Sequence, residues 1–239
     1  MTAKDYRESH LGRGEDYHAI FTDVPQTAEL WNMEQRALTT AIRRYFPIDP
    51  PTLLDFACGT GRVLHHLSPV VASAVGVDIS PSMLDIARRE TPDCEFVVGD
   101  LTRSDLLPGR KFDLITAFRF FPNAQTELRS QVMSKLAGML TSRGIIIFNN
   151  HLNADSLYQS VLTKTGRTPG HTMSMIEVDS LVHDSGLRVV AERGFMLLPN
   201  PPKYFDHAPA LFGRIERVLS QLNARPRLAE DVLVVAARA

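Results

Sequence analysis

The chain has 239 residues, 44% hydrophobic and 22% charged, an ordinary globular balance that excludes disordered, collagen-like and disulfide-scaffold architectures and leaves room for one large domain. Twenty-six Lys and Arg stand against 27 Asp and Glu, a formal net charge of −1, and the basic residues come in pairs such as Arg43–Arg44 and Arg88–Arg89, so no phosphate-tracking surface and no nucleic-acid partner is expected. Cys58 and Cys94 are the only cysteines and lie in no C-x-x-C or Cys/His cluster, which argues against a structural zinc or a secreted disulfide framework and for a reducing, cytoplasmic setting.

Residues 1–24 are polar, with scattered Tyr6, Tyr17 and Phe21. They contain no apolar run of signal-peptide length and no helical or strand period, so a flexible arm is expected. From Gln26 to Phe46 the residues Leu30, Trp31, Leu38, Ala41, Ile42 and Tyr45 recur at steps of three and four, which lays one apolar stripe along a helix. Pro47, Pro50 and Pro51 stop it.

After Pro51 short β-branched or apolar runs alternate with helix-length segments, the pattern of βαβ units and a parallel sheet. The runs are 52–57, 73–79, 94–99, 112–118 and 144–150. Between them lie Arg62–Leu67, Ser82–Glu90 behind a Ser80–Pro81 start signal, and Thr126–Leu140 with Leu128, Val132, Leu136 and Leu140 on one face. A helix over Ile176–Ser185 is closed by Gly186, a sixth strand runs from Leu187 through Val190 towards Leu198, and a seventh covers Asp231–Ala237. Between the last two, a helix around Ala208–Leu222 sets Leu211, Ile215, Val218 and Leu222 on one face. No apolar stretch approaches the roughly 20 residues of a membrane span, the longest aliphatic run being Ile145–Phe148.

The most informative stretch is the strand-to-helix junction from Leu53 to Arg62. Gly59 and Gly61 remove side chains at the carboxyl end of strand one, so the backbone can bend sharply and approach a ligand. Asp78 ends the second run 17 residues past Gly61, where a carboxylate can accept from two ribose hydroxyls. Gly99-Asp100-Leu101 ends the third run and sets a second carboxylate at the same crevice. A dinucleotide site needs G-x-G-x-x-G so that a helix N-terminus can take a pyrophosphate, and the third glycine position is Leu64 here. Cys58 reads as a small core filler, and adjacent His65 and His66 project about 100° apart on a helix, so they form no metal pair and no metal site is expected.

This constellation resembles the class I S-adenosylmethionine-dependent methyltransferases, over about residues 50–150 and the two closing strands. The resemblance implies an α/β fold, a Rossmann-like doubly wound seven-stranded sheet, mostly parallel with an antiparallel last strand and helices on both faces. It implies that residues 1–46 form an arm and helix covering the active site, and that 47–239 form the methyltransferase domain with insertions at 151–175 and 199–229. S-adenosyl-L-methionine is the implied cofactor and S-adenosyl-L-homocysteine its product. Its expected contacts are Asp55, Ala57, Gly59, Gly61, Asp78, Ile79, Met83, Asp100, Leu101 and Phe118, with the acid after strand two on the ribose and the acid after strand three on the adenine amino group. Ala57 departs from the family's first glycine.

The acceptor should meet residues after strands four and five. Arg119 could fork onto an acceptor carboxylate or phosphate, or pair with a surface acid. His151 follows strand five, and an ordinary imidazole near pKa 6.5 suits a general base, the alternative being a structural hydrogen bond. Tyr17 and Trp31 are candidate acceptor contacts in the covering segments, which also carry His171, Tyr204 and His207. The expected reaction is methylation of a polar small molecule, first a hydroxyl of a sugar or other metabolite, then an amine or carboxylate; a catalytically silent cofactor-binding scaffold is the other alternative. A homodimer is compatible with the sequence.

Overall fold

The alternating runs fold into a single sheet. A computed structural model describes residues 25–164, 172–198, 209–223 and 225–239. Its strands are β1 (Thr52–Phe56), β2 (Ser73–Asp78), β3 (Glu95–Val98), β4 (Phe112–Ala117), β5 (Leu140–Asn150), β6 (Leu187–Phe195) and β7 (Asp231–Arg238), in the order β3-β2-β1-β4-β5-β7-β6. The first five are parallel, and β7 runs antiparallel to both β5 and β6. Strand order reverses between β1 and β4, so the loops leaving their carboxyl ends part and open a crevice there.

Alternation along each strand divides the core into two layers. Leu53, Leu114, Ile145 and Ile147 pack beneath α1 (Pro25–Tyr45), α2 (Arg62–Leu67) and α3 (Pro81–Glu90), meeting Leu38, Ile42, Leu64 and Leu84. Leu54, Ile115, Ile146 and Phe148 face the other way, onto α4 (Thr126–Gly138) and α6 (Met175–Asp184), through Leu128, Val132, Leu136 and Val178. A short α5 (Leu157–Lys164) lies in the segment after β5, where Asn153 bridges Met173 and brings the chain back to the sheet. Ser174 and Glu177 form a capping box that starts α6. Among the described residues no helix is long and apolar enough to cross a membrane.

Three boundaries differ from the sequence reading. Leu140 is buried as read, but it opens β5: α4 stops at Gly138, and Phe112 N–H takes the Met139 carbonyl at 2.9 Å. β6 ends at Phe195, because Met196 is left-handed (φ 57°) and the next two amides, Leu197 and Leu198, donate to the Glu216 carboxylate at 3.0 and 2.8 Å. That contact also turns α7 (Pro209–Leu222). Glu216 and Ser220 are buried, whereas Ile215, Val218 and Leu222 of the expected apolar face are exposed; the Leu211 side chain lies outside the described residues, as does the N-terminal arm to Val24.

Gly61 is indispensable for a reason other than ligand approach. It is left-handed (φ 82°), and a Cβ there would stand 3.0 Å from the Ala87 Cβ of α3. The loop and α3 are therefore in contact through missing atoms, and Gly61→Val would not leave the fold intact, as ligand approach alone would have allowed. Gly61→Ala should cost about 1–3 kcal/mol by urea denaturation, through strain and overpacking. Adding Ala87→Gly should restore part of this although it costs helix α3 about 1 kcal/mol by itself; strictly additive losses would show that the two residues do not meet.

Candidate active site

The turn after β1 is built from left-handed residues, Ala57 (φ 53°), Gly59 (φ 55°) and Gly61. Glycine adopts this conformation freely and alanine does so at a cost, so Ala57 is strained where the related pattern has glycine. The turn is fixed by Gly61 N–H on the Cys58 carbonyl (3.0 Å) and Cys58 N–H on the Val77 carbonyl (3.1 Å). Asp78 completes it: one carboxylate oxygen accepts Gly59 N–H at 2.9 Å and the other accepts Ser80 N–H at 2.9 Å. One side chain thus joins the β1 turn to the start of α3. Cys58 is buried in this turn, and burial raises its thiol well above the ordinary value, as befits a filler.

Above the turn lies a cavity of about 230 Å³. Of the residues expected at the cofactor, Asp55, Ala57, Gly59, Gly61, Asp78, Ile79, Met83, Asp100 and Phe118 line this cavity. Leu101 does not, because its side chain is buried in the core layer that faces α4. Asp100 is both a wall residue and a turn residue: its carboxylate accepts from Thr102 N–H (2.8 Å) and the Thr102 hydroxyl (2.6 Å). Arg62, Phe56, Phe120 and Val132 also contribute to the wall and were missed. For Arg62 the signal was its place directly after the second glycine, which the sequence reading used only to start a helix.

Asp55 is buried at the end of β1. Thr116 donates to its Oδ1 at 2.7 Å, while Oδ2 is enclosed with no hydrogen-bond partner among the described residues. Burial raises its pKa to about 7, opposed by the Thr116 bond and the Arg62 charge and reinforced by Asp78. A carboxyl in this state awaits a cationic or proton-donating group in the cavity.

On the acceptor side Arg119 lines the cavity in a left-handed conformation (φ 60°), and its N–H donates to Asn149 Oδ1 at 2.7 Å. Its Nη2 lies 3.6 Å from Glu34 Oε1 and 3.5 Å from Asp231 Oδ2, and Asn149 Nδ2 donates to the same two oxygens at 3.0 and 3.3 Å. The partners are thus not surface acids: Glu34 and Asp231 are buried. Burial, the Glu34 charge and the neighbouring Glu230 raise Asp231 to about 7, with Arg119 and Asn149 opposing, and burial raises Glu230 to about 7.

His151 follows β5 but is not part of the cavity wall. The segment that returns through Met173 bonds to Leu152 and Ala154 just beyond it, and Asn123 Nδ2 donates to His151 Nε2 at 3.2 Å. Burial and the charges of Arg119 and Arg62 hold the imidazole well below its ordinary value. A titration near 6.5 is therefore not expected, and with Nε2 accepting, the proton of the neutral ring sits on Nδ1. Trp31 of α1 does reach the cavity, beneath the Arg62 guanidinium, whose Cζ is 4.1 Å from the ring centroid. Tyr17, His171, Tyr204 and His207 lie outside the described residues.

Comparison with known proteins converges on the same frame. Residues 53–144 match the family described as a methyltransferase domain. A dTDP-3-amino-3,6-dideoxy-alpha-D-glucopyranose N,N-dimethyltransferase from Streptomyces fradiae is 36% identical over 114 residues, 48% of this chain and 38% of that one. A dTDP-3-amino-3,4,6-trideoxy-alpha-D-glucopyranose N,N-dimethyltransferase from Streptomyces venezuelae is 34% identical over 108 residues, 45% and 38% of the two chains. The match thus spans less than two-fifths of each of these relatives. The solved magnesium protoporphyrin IX methyltransferase of Synechocystis, with bound S-adenosylhomocysteine, superposes with a TM-score of 0.69 at 17% identity, covering 98% of each chain. The family match thus covers residues 53–144, and the superposition shows that the chain has the fold of the solved methyltransferase.

A carboxyl raised to about 7 in the folded protein binds its proton more tightly there than in the unfolded chain. It contributes stability that is fully present below its unfolded value of 3.8 and lost as pH rises towards 7. Asp231→Asn removes one such group, so the fall in thermal midpoint between pH 5 and pH 8 should be smaller in the variant, by about 2–4 °C for each kcal/mol of linkage removed. An unchanged fall would show that Asp231 does not titrate in this window.

Proposed function

We propose that this protein transfers a methyl group from S-adenosylmethionine to an amine on a polar small molecule. The observation that carries the cofactor half is Asp55: its carboxyl lines the cavity formed with the glycine turn, Asp78 and Asp100, and one of its buried oxygens has no hydrogen-bond partner among the described residues. It fits the ammonium of the cofactor's amino acid end, Asp78 stands beside the turn where a ribose would lie, and Asp100 stands further along the wall. When bound, the cofactor supplies an electrophilic methyl on a sulfonium. The protein then has to hold the acceptor atom in line with it, and positioning of this kind contributes about 7–11 kcal/mol.

An amine is favoured over a hydroxyl by two considerations. The Streptomyces relatives act on amino sugars by their names, and among the described residues Glu34, Glu230 and Asp231 gather near Arg119, so that as the raised acids ionise towards pH 7 they favour a cation on this side. A neutral amine already has its lone pair, so no strong base is required. His151 enters this reading as a fixed neutral hydrogen-bonding group. Its protonation should give no inflection in the rate near pH 6.5, and the rate should instead rise with pH as the acceptor amine loses its proton.

Isothermal titration with S-adenosylhomocysteine and NADH should show binding of the first alone. Asp78→Ala should weaken it roughly ten- to a hundredfold. Because Asp55 must ionise to receive an ammonium, affinity should fall by up to about tenfold per pH unit below 7 in the wild type, and this dependence should vanish in Asp55→Asn. Turnover is tested by incubating the protein with S-adenosylmethionine and amino or hydroxy sugars and reading mass shifts of one or two methyl groups. Methylation of hydroxy sugars alone would overturn the amine assignment, and binding without any transfer would favour a silent scaffold.

A further inference from the structure

Glu34 and Asp231 meet across the boundary between α1 and the sheet, and each is engaged there through one oxygen. Asn149 Nδ2 donates to Glu34 Oε1 and to Asp231 Oδ2, and Arg119 Nη2 lies beside the same two atoms. The second oxygens, Glu34 Oε2 and Asp231 Oδ1, are buried with no hydrogen-bond partner among the described residues. Two buried carboxyls that share their donors in this way are less costly with a proton on one of them than as two anions. Asp231 is the member that keeps it: burial and the Glu34 charge raise its carboxyl to about 7, with Arg119 opposing. The other titratable groups around the pair are Glu230, itself under the charges of Arg119 and of Glu216 from α7, and His151 after β5, which feels the Arg119 charge.

Glu34 lies one helical turn beyond Trp31, so the two share a face of α1 and are seated together. The later turns of α1 have anchors of their own. Leu38, Ile42 and Phe46 are buried in the core layer beneath the helix, and the Thr39 hydroxyl lies 3.0 Å from His66 Nε2. The first turns are held by the buried Leu30 and Met33, by an ion pair from Glu29 to Arg217 of α7 at 3.1 Å, and by Glu34.

We propose that Glu34 and Asp231 form a proton-operated latch that seats the first turns of α1, and with them Trp31, on the cavity. With the proton in place one anion of the pair faces Arg119, and α1 is seated. When Asp231 gives the proton up to solvent, two anions face each other across the boundary, and release of Glu34 to water relieves them. Because the Asp231 value is raised, the proton's contribution is fully present below 3.8 and is lost as pH rises through about 7. Each pH unit above that weakens the seat by up to about tenfold. The latch goes beyond methyl transfer and does not depend on which ligand the cavity takes, since neither acid lines it.

Trp31 is the only tryptophan of the chain, so its fluorescence reports the seat directly. In the full chain without ligand, quenching of that fluorescence by acrylamide should rise several-fold from about pH 6 to about pH 8. Asp231→Asn and Glu34→Gln keep the side-chain shape and remove one anion, and both should remain as protected at the higher pH as the wild type is at the lower. Asp55 titrates in the same window and acts on Arg62, which lies over the Trp31 ring, so Asp55→Asn is the control and should retain the rise. Hydrogen exchange of the wild type reads the same event without any substitution. Protection of residues 28–34, corrected for the intrinsic rate, should fall with pH while that of residues 38–46 holds. Quenching that does not rise, a rise that survives Asp231→Asn or disappears in Asp55→Asn, or protection lost equally along α1 would overturn the latch.

Discussion

The carboxyl edge of this sheet depends on one carboxylate. Asp78 holds Gly59 with one oxygen and Ser80 with the other, so the turn after β1 and the start of α3 cannot move independently. Both backbone donors lie in turns that directly follow paired strands, so the two bonds to the carboxylate form with little further ordering of the chain. The left-handed turn, the seat of α3 on Gly61 and the floor of the cavity all follow from that tie. Its most expensive member is Ala57, whose methyl group tolerates a backbone conformation that glycine would adopt freely.

A second tie works at the opposite wall. Arg119 and Asn149 gather Glu34 from α1 and Asp231 from the start of β7 around one guanidinium. Breaking such a cluster leaves uncompensated charge in a low-dielectric interior, whereas intact it fixes geometry more than it adds stability. It joins the N-terminal helix, the end of β4, the end of β5 and the beginning of β7. Arg119 is thereby held in place at the cavity wall and is not available as a mobile anion clamp.

The sheet and the residues that line the cavity were legible because their signals are local. Period-two runs such as Ile145–Phe148 face both core layers, and the glycines and acids of the turns lie at strand ends wherever the strands come to rest. The pairing of Arg119 was not legible, since Glu34 and Asp231 lie far from it in sequence and nothing local marks them as buried. Helix α7 misled for a related reason: its apolar spacing pointed one way, but Glu216 turned inward to satisfy the amides of Leu197 and Leu198, and a buried unmet amide costs more than an exposed Ile215 or Val218 gains. His151 stood at the expected strand end, but its surroundings are set by Asn123 and by the charges of Arg119 and Arg62, which no periodic signature brings to it.

The position of β7 bears on how the chain acquires this structure. It follows every other strand in sequence yet lies inside the sheet, between β5 and β6. During synthesis β1 to β5 can pair in order, but β5 keeps an open edge and β6 has no neighbour until β7 arrives, a separation in sequence that slows closure. Asp231 arrives with it, so the interior charge of Arg119 lacks one of its two acids over the same interval. Nascent chains should therefore carry an unpaired, apolar β5 edge, the kind of surface that holding chaperones bind and that promotes self-association, and completion of the Arg119 cluster behind the cavity wall should coincide with the last step of folding.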